Sequence, residues 1–292
     1  MSKIKSISLK ILTILRVVSK RKWIYFGTLT VFLFGSVVLV IKYCDMPIWN
    51  NMPQFYIKPE NSDMLFYNLS VSYIASYLFY LLVNFIPDWI DAVEGEKELI
   101  ALRCVIQREI QLFTYRCMSI WSSMGRAASV GEIDNINGFF NRRVIQQIST
   151  ATNISANSDT MSFNTNYIDW CTKIVTELNV ISTSGNSILT RYKNDIPSEM
   201  FYNLFYIINE NSMIGSLNVA VQTMTALYGR NIILSQCMDF ENGTGGDGID
   251  RSCRSIVDLH NWVNSEYDYL INHISGENIK IYRIERSAYL AR

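Results

Sequence analysis

Charge disappears from the chain twice in its N-terminal part. Trp23 to Ile41 is a run of 19 uncharged residues, and Met64 to Pro87 is a second run of 24. At 1.5 Å rise per residue these reach about 28 Å and about 36 Å, against a hydrocarbon core of about 30 Å. Both runs therefore predict transmembrane helices, the longer one tilted. A charge at mid-span would be costly, and neither run carries one.

Beyond Pro87 the apolar positions become periodic. Leu99, Leu102, Ile106, Ile110, Phe113, Cys117, Ile120 and Met124 recur at spacings of 3 and 4, which predicts a helix from about Trp89 to Met124, about 50 Å long if unbroken. It opens a bundle or forms a coiled-coil stalk, with bundle packing the default. Similar periodicity predicts helices over 132–149, 167–183, 198–209, 211–229 and 250–274. The Ser-, Thr- and Asn-rich stretch Thr150–Asn166 reads as a loop. Only Asn278–Arg286 alternates like a strand, and a terminal extension explains it equally well. The expected fold class is mainly α: a two-helix transmembrane hairpin followed by an all-α cytoplasmic helical domain. Its parts are a basic arm at 1–22, spans at 23–43 and 64–87, an external loop at 44–63 and the helical domain at 88–292.

Charge sets the orientation. The 26 Lys+Arg and 26 Asp+Glu balance, yet residues 1–22 hold seven cations and no acid: Lys3, Lys5, Lys10, Arg16, Lys20, Arg21 and Lys22. Such an arm stays on the cytoplasmic side, and two spans return the chain there, so both ends are expected in the cytoplasm. The intervening loop carries one cation, Lys58, against Asp45, Glu60 and Asp63. The first run exceeds the apolar core of a cleaved signal, and Lys42-Tyr-Cys-Asp45 offers no small-residue cleavage site, so it reads as a retained anchor. Within the arm, Ile4, Ile7, Ile11, Leu15 and Val18 oppose the polar side, which fits a surface-lying helix or a tail that only sets topology. Lys3, Lys10, Lys20, Arg21 and Lys22 are the lipid-surface candidates. The region from Asp88 onward has 17 basic and 23 acidic residues, which argues against nucleic-acid binding over its whole surface.

The second run is unusually polar for a span. Tyr73, Tyr77, Tyr80 and Asn84 share one helical face, with Ser72 and Ser76 beside it and Asn68 and Ser70 in the preceding turn. These groups either pack on the first span, where Gly27, Thr28, Gly35 and Ser36 are small, or line a conductive defect between associated copies.

Catalytic chemistry finds little footing. The six cysteines lack a close pair, and with only His260 and His273 beside them no zinc pattern forms. Cys104, Cys117, Cys171, Cys237 and Cys253 read as buried reduced thiols, and Cys44 has no second outer cysteine to pair with. The glycine-rich segment Asp239–Asp250 lacks the lysine of a phosphate loop and the acid spacing of a calcium loop. No cofactor, metal or enzyme signature emerges. Arg251, Arg254, Lys280, Arg283 and Arg286, with Arg292, make the C-terminal region locally basic and are the candidates for gripping an acidic partner or nucleic acid; ordinary surface cations are the plainer explanation.

This layout, Lys3–Lys22, then Trp23–Ile41, Met64–Pro87 and Asp88–Arg292, resembles the two-span transmembrane effectors of bacterial retron-type anti-phage defence systems. The resemblance implies a toxin-like, oligomerising protein of the bacterial inner membrane. A reverse transcriptase and its RNA–DNA product would hold it inactive, and on release it would perturb or depolarise the membrane. A membrane-anchored sensor or scaffold, its spans a mere tether, has the same layout.

Overall fold

The computed structural model describes residues 20–43, 64–131, 133, 135–161, 166–228, 231–238, 240, 248–274 and 280–285. The chain is mostly helical. It divides into two compact units, Met1–Leu99 and Ile100–Arg292.

The first unit contains α1 (Lys20–Tyr43), α2 (Leu65–Tyr80), a π-helical turn (Leu81–Phe85) and the first turns of α3 (Ile86–Ala127). Lys22–Tyr43 and the helical stretch from Leu65 are both long and apolar enough to cross a membrane. The helices α1 and α2 run antiparallel. Tyr43 stacks on Phe66 at one end, Thr30 meets Tyr77 midway, and Phe26 stacks on Phe85 toward the other. Ile24, Val31 and Phe34 of α1, and Leu69 and Phe79 of α2, stay exposed.

Pro87, which the sequence allows either to close the second helix or to kink its exit, does not close it: the backbone stays helical through it. Proline lacks the N–H that would bond the carbonyl four residues back. The wide turn Leu81–Phe85 ends one residue short of it, where a π-turn changes the register of bonding.

The second unit is built around α3. Its expected stripe is buried from Ile106 to Met124, whereas Leu99 is 55% exposed and Leu102 only half-buried. A second buried row, Gln107, Gln111, Thr114, Met118, Ser122 and Gly125, runs along another face of the same helix. Burial on two faces makes α3 a central helix rather than a stalk. Around it the core gathers Ile145 and Ile148 of α5 (Arg142–Ala151), Ile174, Leu178 and Ile181 of α6 (Trp170–Arg191) and Leu204 and Ile207 of α7 (Ser198–Asn209). Leu217 and Val221 of α8 (Gly215–Tyr228) and Ile256, Leu259 and Val263 of α9 (Gly248–Ile271) complete it.

Local side-chain chemistry moved several boundaries. The expected helix 132–149 is two: α4 (Ile136–Phe139) and α5. Asn141 sits between them in extended backbone, and its side chain accepts the Val144 N–H at 3.0 Å as an N-cap. The polar stretch Thr150–Asn166, read as a loop, contains β1 (Asn157–Met161), which pairs antiparallel with β2 (Tyr167–Asp169). The all-α expectation is thus corrected to a helical unit with one small sheet. Helix α6 starts only at Trp170, where Asp169 caps it by accepting from Thr172 N at 2.7 Å. Residues 280–285 form neither strand nor helix, the outcome of the terminal-extension reading and not of the strand reading of 278–286; 278, 279 and 286 lie outside the described residues.

Candidate membrane and partner-binding surfaces

The polar stripe of the second helix is divided by its neighbour. The Tyr73 hydroxyl donates to the Leu29 carbonyl at 2.9 Å. Thr30 Oγ1 donates its one hydrogen to the Phe26 carbonyl at 2.7 Å, so the Tyr77 hydroxyl, 2.9 Å away, is the donor to Thr30. Tyr77 is 5% exposed, Tyr80 is half-buried, and Asn84 lies exposed in the π-turn. Ser70 is buried, while Asn68, Ser72 and Ser76 are exposed.

The glycines expected to receive this stripe do not. A Cβ at Gly27 or Gly35 would meet nothing within 4 Å, and the Thr28 hydroxyl bonds back to the Ile24 carbonyl. Aromatic rings hold the pair instead. Phe26 and Phe85 stack with centroids 4.3 Å apart, and Trp23 meets Phe85 edge-on at 6.0 Å. The uncharged runs concealed this cluster because aromatic residues look alike whether they face lipid or a neighbour.

Of the lipid-surface candidates, Lys3 and Lys10 and the side chains of Lys20 and Arg21 lie outside the described residues. Lys22 pairs with Asp88 at 2.5 Å, both side chains about half exposed. At that exposure the pair contributes at most about 1 kcal/mol.

The basic C-terminal candidates fall in two places. Arg251 lies over the Tyr206 ring at 4.3 Å, and together with Arg254, Asn203, Ser255 and Asp258 it lines a cavity of about 170 Å³. Burial pushes the Asp258 carboxyl up, as does Glu199, against the pull of Arg254. Arg283 pairs with Asp268 and lies over Tyr267, about 26 Å further along α9 at 1.5 Å per residue. Lys280 is exposed, and Arg286 and Arg292 lie outside the described residues. Arg251 and Arg254 therefore do not share a patch with Arg283.

Cys104, Cys117 and Cys253 are buried as expected, but Cys171 and Cys237 are only half-buried. Burial pushes the Cys253 thiol up to about 12 and Cys237 to about 11. Most of the glycine-rich segment lies outside the described residues; Gly248 opens α9, and Asp250 lies 3.9 Å from Arg142. Among the described residues, no group of three His, Cys, Asp or Glu could hold a metal ion.

The structure assembles a cluster that sequence patterns did not reveal. Arg103 of α3 donates two hydrogen bonds to the Glu266 carboxylate, at 2.7 and 2.8 Å, and lies over the Tyr269 ring. The Glu266 bond holds the Arg103 guanidinium above its ordinary range, against partial burial. One turn on, Gln107 Nε2 donates to the Tyr282 carbonyl at 2.9 Å and to the Val263 carbonyl at 3.3 Å. Asn264 Oδ1 accepts the Ile284 N–H at 3.0 Å, and its Nδ2 faces the Ile284 carbonyl at 3.5 Å. Ile284 is 4% exposed and belongs to the core.

His260 completes the cluster. Its Nε2 lies 3.2 Å from Asn264 Nδ2, a donor, so Nε2 is the unprotonated nitrogen and Nδ1 carries the hydrogen toward Asn261 Oδ1. Burial holds this imidazole below its ordinary range, against the Asn261 bond. A lowered folded-state pKa means that the unfolded chain binds the proton more readily. The stability involved is complete above about pH 6.5, the unfolded histidine value, and is lost as pH falls below it. The urea midpoint is therefore expected to drop between about pH 7.5 and about pH 5.5, and His260→Gln to flatten that drop. An unchanged slope in the variant would assign the drop to other groups.

No family model, curated protein or solved structure matches the chain.

Proposed function

We propose that the chain is a non-enzymatic effector of the bacterial inner membrane, with its two long apolar helices crossing as a hairpin and both ends cytoplasmic. The observation that carries this reading is the antiparallel pair. The Tyr73 and Tyr77 hydroxyls are hydrogen-bonded inward, the outward side chains are mainly apolar, and the ion pair Lys22–Asp88 sits at the end nearest the basic arm. Lipid favours that arrangement, since charges and unpaired polar groups are costly within it. The helical unit from Ile100 onward is the part that meets a cytoplasmic partner. By the resemblance in layout, that partner is a reverse transcriptase with its RNA–DNA product. Release lets copies associate through the exposed polar positions of the second span, Asn84 foremost, and depolarise the membrane.

A specific observation favours a second reading, a membrane-anchored sensor or scaffold. Tyr73 and Tyr77 spend their hydroxyls inside the pair, as a simple tether would have them. Exchanging residues 20–87 for an unrelated two-span hairpin separates the two readings. Effector action predicts that a potential-sensitive dye reports collapse for the native chain and none for the exchanged one. Undiminished potential with the native chain at high expression, and full function in the exchanged chain, would select the tether.

A further inference from the structure

We propose that α3 and α9 form a peptide-binding groove around Gln107 and Asn264, filled here by the chain's own residues 280–285 and open to a partner segment that presents a cation followed by a branched aliphatic residue. The groove reads main chain first. The Asn264 amide addresses both the N–H and the carbonyl of Ile284, and Gln107 holds the carbonyl of Tyr282. Such contacts accept any residue type, so recognition rests on what lies between and beside them. Asp268, with the Tyr267 ring, takes the Arg283 guanidinium, and the core takes the Ile284 side chain. A carboxylate beside an aromatic face suits arginine, and a closed apolar site suits isoleucine.

Two observations indicate that the present occupant is exchangeable. Lys280, Tyr282, Arg283 and Glu285 remain exposed and Ile281 is only half-buried, so the segment is anchored chiefly through Ile284. Ordering six residues for one buried side chain and a few hydrogen bonds leaves a small net gain. The groove also holds polar capacity that this segment leaves unused. Gln107 Oε1, beside the amide nitrogen that holds Tyr282, is buried and without a partner among the described residues. It is an acceptor, suited to an N–H group of another main chain. The proposal stands independently of the bilayer reading, since every residue in it belongs to the second unit.

The test uses the full chain in detergent micelles carrying Ile284→Asp, which evicts the native segment, and a fluorescein-labelled peptide of residues 278–287. Saturable binding is expected, with at least about tenfold weaker binding when Asn264→Ala is added. Binding that fails to saturate, or that ignores Asn264, would overturn the proposal. A readout that needs no substitution is amide exchange of the unaltered chain. The Ile284 amide should exchange at least about 100-fold faster than those of Leu259 and Val263 in α9. Equal protection would show a fixed part of the core and refute exchangeability.

Discussion

Phe113→Ala is expected to destabilise the second unit by about 3–5 kcal/mol, the range for removing a fully buried aromatic ring. Phe113 is 0% exposed on the central helix, so α6 and α7, whose Gly185 and Ile208 lie beside its ring, cannot close over the void without giving up contacts to α3. Against a total of about 5–15 kcal/mol for an ordinary domain, that loss removes a large share of the stability. Denaturant unfolding followed by near-ultraviolet circular dichroism measures it. A change below about 1 kcal/mol would mean that α3 is not the centre of the core.

The same ring accounts for a glycine. A Cβ at Gly185 of α6 would lie 2.3 Å from Ile208 Cδ1 and 2.8 Å from Phe113 Cε2. Gly185→Ala alone should therefore cost about 1–3 kcal/mol through overpacking. In the Phe113→Ala background the cost should shrink, because Ile208 gains room to move aside. The double-mutant cycle should show a coupling of about 0.5–3 kcal/mol in that direction. Strict additivity would separate the two positions physically.

Which features could be read from the chain depended on whether one segment sufficed to specify them. The apolar row Ile106 to Met124 has a 3.6-residue period, so its helix was legible. The second buried row was not, because Gln107, Gln111, Thr114 and Ser122 are polar types that usually face water. Their burial depends on partners 150 residues and more away for Gln107, whose acceptors are Val263 and Tyr282. The break at Asn141 and the strand at Asn157–Met161 were missed for a related reason. Asn and Ser read as loop wherever they occur, although one here caps a helix and others pair in a sheet. In the alternation at 278–286 the repeat was visible, but not the amide side chains that hold Ile284 in place of a neighbouring strand.

The largest functional effect is expected at Asn84. In the effector reading its exposed amide must find a partner when copies associate within lipid, since an unpaired amide there is costly. Asn84→Leu should abolish depolarisation while leaving insertion intact, because the change makes the span more apolar. Tyr77→Phe separates this from damage to the pair itself. It deletes only the hydroxyl that donates to Thr30, a bond of a kind worth about 0.6–1.7 kcal/mol between helices in lipid. Phe26 and Phe85 keep their stacking in that variant, so the helices stay together and depolarisation persists. The opposite ranking, full activity with Asn84→Leu and none with Tyr77→Phe, would place the working surface inside the pair and discard association through Asn84. Equal, complete activity in both would remove the second span's polar groups from the mechanism and leave the hairpin as a tether.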